Sequence, residues 1–308
     1  MLAFAGESTI RKGKMARPAL AASRGIDIID FLARFPGRGF SLSEIVKGTQ
    51  INLASCHAIL NVLADRGHVS RCPRQKTYRL GPALFALGQV ALASQPLLAR
   101  VRDAARQLRD ELRIPSLVST VIGEEIVGMV ACDTPDGRTA GLNVGERMPL
   151  VPPVGASFVA WADEAEIEAW FDRASPDEDA DTVAYWRDGL VRLRERGFQV
   201  ELKAPGGSQM ADRMAEMASG GGATRYKAEL LKLVRSLGRH PMQPVSIEPD
   251  SDYDLILLAA PVFDRDGHCA YNLCLGGFPG PMKGEEVLSL GERLVATSLQ
   301  VMQADRAA

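Results

Sequence analysis

Four histidines and five cysteines in 308 residues leave little material for metal or redox chemistry. Cys56, Cys72, Cys132, Cys269 and Cys274 are odd in number and scattered, with no CxxC pair, so neither a disulfide framework nor a zinc site is expected. Cys56 and Cys274 fall in apolar runs and should behave as small buried hydrophobes. Long apolar runs are missing too. None approaches the roughly 20 residues needed to span a bilayer, and the N-terminal MLAFAGESTIRKGKMARPAL has no apolar core followed by a cleavage site. A cytoplasmic protein without a membrane partner is the expectation. GxSxG, HExxH and phosphate-cradling glycine loops are absent as well. Gly220-Gly221-Gly222 follows no strand and reads as a hinge between helices, while the acidic Asp177 to Asp181 reads as a solvated loop. No enzyme is expected from this set, and no cofactor is implied.

What is present is enough apolar residue, 46%, for two domains with separate cores. Charge divides them. Residues 1–95 hold 13 Lys and Arg against 5 Asp and Glu, whereas the remainder holds 23 against 33. The formal net charge of −2 therefore hides a basic module carried on an acidic one, and a basic module keeps its local field.

Within the basic part, Ser41 precedes LSEIV and Glu44 follows three residues later, the signature of a capping box that starts a short helix. Gly48 to Ile51 breaks the pattern, and Asn52 can cap a second helix. In that helix Cys56, Ile59, Leu60 and Leu63 recur at helical spacing and face inward, leaving Ala54, His57, Ala58, Asn61 and Asp65 outward. This small, polar face suits a major groove about 12 Å wide, where Asn can pair with adenine. Past Gly67, the runs His68 to Arg71 and Thr77 to Leu80 flank Cys72-Pro73-Arg74-Gln75-Lys76, a hairpin with a basic tip suited to phosphate. The pattern is a winged helix-turn-helix. Its DNA contacts are expected from Ser55, His57 and Asn61, with Asn52, Ala54 and Ala58 on the same face. Arg24, Ser41, Arg71, Arg74 and Lys76 are expected to position the phosphate backbone. The alternative is an assembly or ligand-binding module whose degenerate helix-turn-helix does not read DNA. Arg11, Lys12, Lys14 and Arg17 form either a DNA-touching arm or a solvated tail.

Pro82 begins a helix through about Ala93, and Pro96 opens another with Leu98, Val101, Ala105, Leu108 and Leu112 along one face. Leu117 to Ile122 and Ile126 to Cys132 read as a hairpin, and Leu255 to Phe263 and Cys269 to Leu275 flank the strong turn Asp264-Arg265-Asp266-Gly267. Helical patterns lie around Gly155 to Ala162, Glu164 to Arg173, Thr182 to Glu195 and Lys283 to Gln303. Strand hairpins with helices at both ends predict an α+β domain on an antiparallel sheet.

Two ordered segments resemble the IclR family of bacterial transcription regulators. One is the helix from Ala54 to Leu60; the other is LILLAAPVFDRDGHCAYNLCLGG, similar to that family's Ala-Ala-Pro strand, Asp-x-x-Gly turn and return strand. The resemblance implies an N-terminal winged helix-turn-helix at 21–81, behind a basic arm at 1–20. A linker helix at 82–95 joins it to a GAF-like effector domain at 96–308, with a helical insert at 206–243. It further implies a homodimer or homotetramer that binds double-stranded operator DNA, repression by default, and a small-molecule effector. The implied effector residues are Met129, Gly155, Ala156, Glu201, Leu257, Cys274 and Gly276. Leu257, Cys274 and Gly276 replace the polar residue and two serines usual in that family, so a larger, rather apolar or aromatic effector, or none, is expected. Ala58 replaces a long basic side chain common in its recognition helix.

Overall fold

The computed structural model describes residues 19–35, 37–203, 230–232 and 242–307. Residues 1–18 of the basic arm, the Gly220-Gly221-Gly222 hinge and most of the 206–243 insert lie outside them.

Three helices and a small sheet form the N-terminal unit: α1 (Leu20–Ala33), β1 (Phe40–Ser41), α2 (Leu42–Thr49), α3 (Leu53–Asp65), β2 (Val69–Cys72) and β3 (Thr77–Leu80). The expected capping box is formed, with Ser41 Oγ accepting from the Glu44 N–H and Glu44 Oε2 accepting from the Ser41 N–H at 2.8 Å. Asn52 Oδ1 caps α3 by accepting from the Ser55 N–H at 2.9 Å. Between these caps, Gln50 adopts the left-handed conformation that ends α2, so the chain turns within three residues. Cys56 and Leu60 of α3 join Ile28, Phe31, Ile45, Val69 and Tyr78 in one core. Sheet order is β1-β3-β2, antiparallel, so the predicted hairpin acquires a third strand that the sequence did not announce.

Two proline-started helices follow, α4 (Pro82–Ala93) and α5 (Pro96–Leu112), as their spacing predicts. The larger unit is a six-stranded antiparallel sheet in the order β6-β5-β4-β10-β9-β7. Its strands are β4 (Ser116–Ile122), β5 (Glu125–Cys132), β6 (Arg147–Pro149), β7 (Gln199–Leu202), β9 (Leu255–Phe263) and β10 (Cys269–Gly276). A separate pair, β8 (Asp252–Tyr253) with β11 (Met282–Lys283), lies outside it. Strand alternation gives this sheet two apolar faces. One packs on α5 and the C-terminal α9 (Gly284–Arg306) through Val101, Leu108, Leu258, Leu273 and Leu294. The other packs beneath α6 (Ala156–Val159), α7 (Glu164–Phe171) and α8 (Ala180–Arg196), where Trp170, Trp186 and Leu190 are buried. The helical pattern around Gly155 to Ala162 thus shrinks to one turn. Among the described residues, no single helix is long and apolar enough to cross a membrane.

Candidate nucleic-acid interface and a cavity in the second domain

In α3, His57, Ala58 and Asn61 are exposed on the face opposite the buried Cys56 and Leu60, with Asn52 and Ala54 exposed at its start. Ser55 is half-buried, and Arg24 Nη1 on α1 donates to its Oγ at 3.4 Å. That bond ties a basic side chain to the first turn of α3. Ser41 is less available, since its hydroxyl also donates to Glu44 Oε2 at 2.8 Å and is committed to its own helix. Arg74 and Lys76 are exposed at the β2–β3 turn, with Lys76 at φ 54°. Arg71 is exposed and its guanidinium sits 5.7 Å from the Tyr78 ring centre. Three exposed residues were not singled out in the sequence: Leu53 on the first turn of α3, Arg66 just past its end and Arg79 on β3. Their signal was there, since Leu53 and His57 are one helical turn apart, and both arginines lie within the basic stretch.

In the larger unit, strand register assembles a cavity of about 130 Å³. Gln199 lies opposite Ala259, which lies opposite Cys274, which lies opposite Leu117; Glu201 lies opposite Leu257 in the next row. Gly155, Glu201, Leu257 and Cys274 all line the cavity. Gly155 holds φ +83° before α6, and a Cβ there would stand 2.3 Å from Leu150 Cδ1, so only glycine makes this turn.

Three further positions implied by the resemblance do not line it. Met129 packs with the α5 and α9 core on the other side of the sheet. The cause is a bulge: Val118 pairs with Val130 and Ser119 with Gly128, so Met129 is the extra residue. Ala156 is buried in the core beneath α6 to α8 beside the cavity rather than in its wall, where its neighbour Ser157 stands instead. Gly276 faces the cavity side, but a Cβ there would lie 2.7 Å from the Ala140 carbonyl oxygen. Its role is to let the chain at Ala140 to Leu142 close over the sheet, and those three residues do line the cavity.

The hydroxyls missing from β10 are supplied elsewhere. Ser119 and Ser157 line the cavity together with the amides of Gln199 and Asn272, all four buried. Gln199 Oε1 accepts from the Ser157 N–H at 2.9 Å, and its Nε2 donates to Glu201 Oε1. Asn272 Nδ2 donates to Ser157 Oγ at 2.6 Å. Glu201 is partly accessible to the cavity, and desolvation by the surrounding protein pushes its carboxyl up to about 7. Burial and the nearby Glu201 both push the Cys274 thiol up, so it stays protonated and acts as the small hydrophobe the sequence suggests. The Asp264 turn is tied internally, its Oδ1 accepting from the N–H groups of Asp266 and His268 at 3.0 and 2.9 Å.

A winged helix-turn-helix joined to an α+β domain with a curled antiparallel sheet is the class this architecture defines. Residues 21–73 match the model of the IclR helix-turn-helix domain. The DNA-binding transcriptional repressor YiaJ of Escherichia coli (strain K12) is 34% identical over 80 residues, a stretch spanning 25% of this chain and 28% of that protein. An IclR transcriptional regulator from Alicyclobacillus acidocaldarius superposes with a TM-score of 0.68 at 18% identity, covering 92% of this chain and 98% of that one. Pseudomonas aeruginosa HmgR gives 0.60 at 20% identity with the same coverage. An IclR homolog from Microbacterium hydrocarbonoxydans, solved in complex with 4-hydroxybenzoate, gives 0.59 at 13% over 92% and 99%. Residues 21–73 thus form a helix-turn-helix of the IclR type, and the chain along nearly its whole length shares the fold of these regulators.

Proposed function

We propose that the protein is a transcription regulator that binds operator DNA through α3 and the β2–β3 hairpin, and that a ligand in the second-domain cavity changes its operator affinity. The observation that carries this reading is the exposed, polar face of α3 beside a basic hairpin, within a segment that matches a DNA-binding domain. Residues 21–81 form the reading head, 82–95 the linker and 96–308 the ligand-binding part. Phosphate contacts come from Arg24, Arg71, Arg74 and Lys76, with Arg66 and Arg79 adding positive charge. Base reading falls to Ser55, His57 and Asn61, and Leu53 suits a thymine methyl. Ala58 contributes no hydrogen bond, so base preference rests on short side chains. Repression is the favoured sign of control, in keeping with the repressor YiaJ over the matched stretch.

The protein acts as a homodimer in this reading. No residue of α4 is buried, and Phe85, Leu87 and Val90 are 73%, 54% and 69% exposed, an apolar helix that a second copy would cover. Two heads then meet half-sites about 34 Å apart, or a multiple, on a pseudo-palindromic operator. Arg147 supports coupling between the two parts. Its guanidinium reaches Asp30 on α1 at 3.7 Å and Glu125 on β5 at 3.2 Å, while the adjacent Met148 lines the cavity. The effector this favours is small and largely apolar or aromatic. The neighbouring structure holding 4-hydroxybenzoate is consistent with one ring, as is the volume, close to the roughly 150 Å³ that accepts benzene.

The direct experiment is a gel shift of the folded protein against the intergenic DNA flanking its gene. A salt-sensitive, fragment-specific shift is expected; no shift with any fragment would favour an assembly module that does not read DNA.

A further inference from the structure

The chemistry of the cavity restricts its ligand further than size does. Its walls are apolar, formed by Leu117, Ile126, Leu142, Met148, Phe158 and Leu257. Its polar groups are ordered by their own bonds. Gln199 spends its carbonyl on Ser157 and its amide N–H on Glu201, and Asn272 spends an N–H on Ser157. The Gln199 donor satisfies one oxygen of Glu201, and the other has no partner among the described residues. Glu201 is also the one charged side chain among the described lining residues. Its titratable neighbour across β9 is Cys274, which stays neutral; the facing Leu257 and Ala259 do not titrate. A ligand carboxylate placed here meets a second carboxylate in a poorly solvated space, and one of the two must be protonated. A ligand N–H or O–H finds an acceptor already positioned.

We propose that the cavity takes an uncharged single-ring molecule that donates an N–H or O–H hydrogen bond to Glu201, and that Glu201 discriminates this molecule from the matching carboxylate. This rests on the reading of the second domain as ligand-binding, and it adds the charge class that the reading leaves open.

The test uses the full-length protein and two probes of nearly equal shape, 4-hydroxybenzamide and 4-hydroxybenzoate, titrated calorimetrically at a pH about one unit above the Glu201 pKa. The amide should bind at least about tenfold more tightly than the carboxylate. Glu201→Gln, which keeps the side-chain shape, should shrink that ratio to about threefold or less by removing the like charge. In the wild-type protein, a carboxylate that binds on acidification should take up a proton, read as a buffer-dependent heat; this needs no variant. Equal or tighter binding of the carboxylate, or a ratio unchanged in Glu201→Gln, overturns the proposal and leaves the ligand-binding reading intact. Amide binding that leaves operator affinity unchanged overturns the effector reading and leaves the ligand class intact. Binding of neither probe overturns both.

Discussion

The reading head and the cavity are built by opposite means. The head takes its caps, its turn and its exposed face from a contiguous stretch, Ser41 to Asp65, in which each helix is started by a side chain three residues from its partner. The cavity takes Ser119 from β4, Ser157 from α6, Gln199 and Glu201 from β7 and Asn272 and Cys274 from β10, and it exists only when those elements pair. A surface that meets an external polymer can be made locally. A space that desolvates a carboxylate must be enclosed from several directions.

The sharpest way to separate the two regions is Leu60→Ala, which empties a fully buried position in the head's own core. The expected cost is about 2–5 kcal/mol. Operator binding should be lost, a low-temperature calorimetric transition should appear, and 4-hydroxybenzamide should still bind. Simultaneous loss of both functions would show that the regions fold as one unit.

Arg147→Met probes the connection instead. Operator affinity without ligand and ligand affinity without DNA should each change little. The effect of one on the other should fall by about 0.5–2 kcal/mol, from couplings that are typically 1–3 kcal/mol. Unaltered coupling in the variant would route the signal away from the Asp30–Arg147–Glu125 contact.

Glu201 gives a smaller, pH-dependent signature. Its carboxyl rises from an ordinary value of 4.5 to about 7 in the folded protein, so folding favours the protonated form. That contribution is complete below about 4.5 and is lost as pH rises through about 7. Glu201→Gln should therefore gain stability relative to wild type across this interval and then level off. The gain is about 1–2 kcal/mol once partial exposure to the cavity is allowed for. A difference independent of pH from 4.5 to 7 would place the carboxylate in solvent.

How much of this was legible follows from the same contrast. Ser41 with Glu44, Asn52 before α3 and Pro82 before α4 announce their elements in neighbouring letters. The Asp264 to Gly267 turn likewise announces its hairpin, and the apolar runs on either side of it announce the paired strands. β1 and β6 are too short to show a period, whereas Phe198 to Leu202 alternates apolar and polar and so carries the signal of β7. The bulge that sends Met129 to the far side of the sheet depends on which residues of two strands face each other. So does the replacement of β10 hydroxyls by Ser119 and Ser157. A reading limited to equivalent positions sees hydroxyls lost at Cys274 and Gly276, and misses those regained across a strand pair and from a helix.

The most direct test of the account is the salt dependence of operator binding for the wild-type protein and for Arg74→Ala/Lys76→Ala, measured from about 50 to about 200 mM salt. If the basic hairpin holds phosphate, the doubly substituted protein binds more weakly and its log–log slope is shallower by about 1.8, or about 0.9 per lost contact. Unchanged affinity and unchanged slope would contradict a DNA-reading head built from α3 and the β2–β3 hairpin.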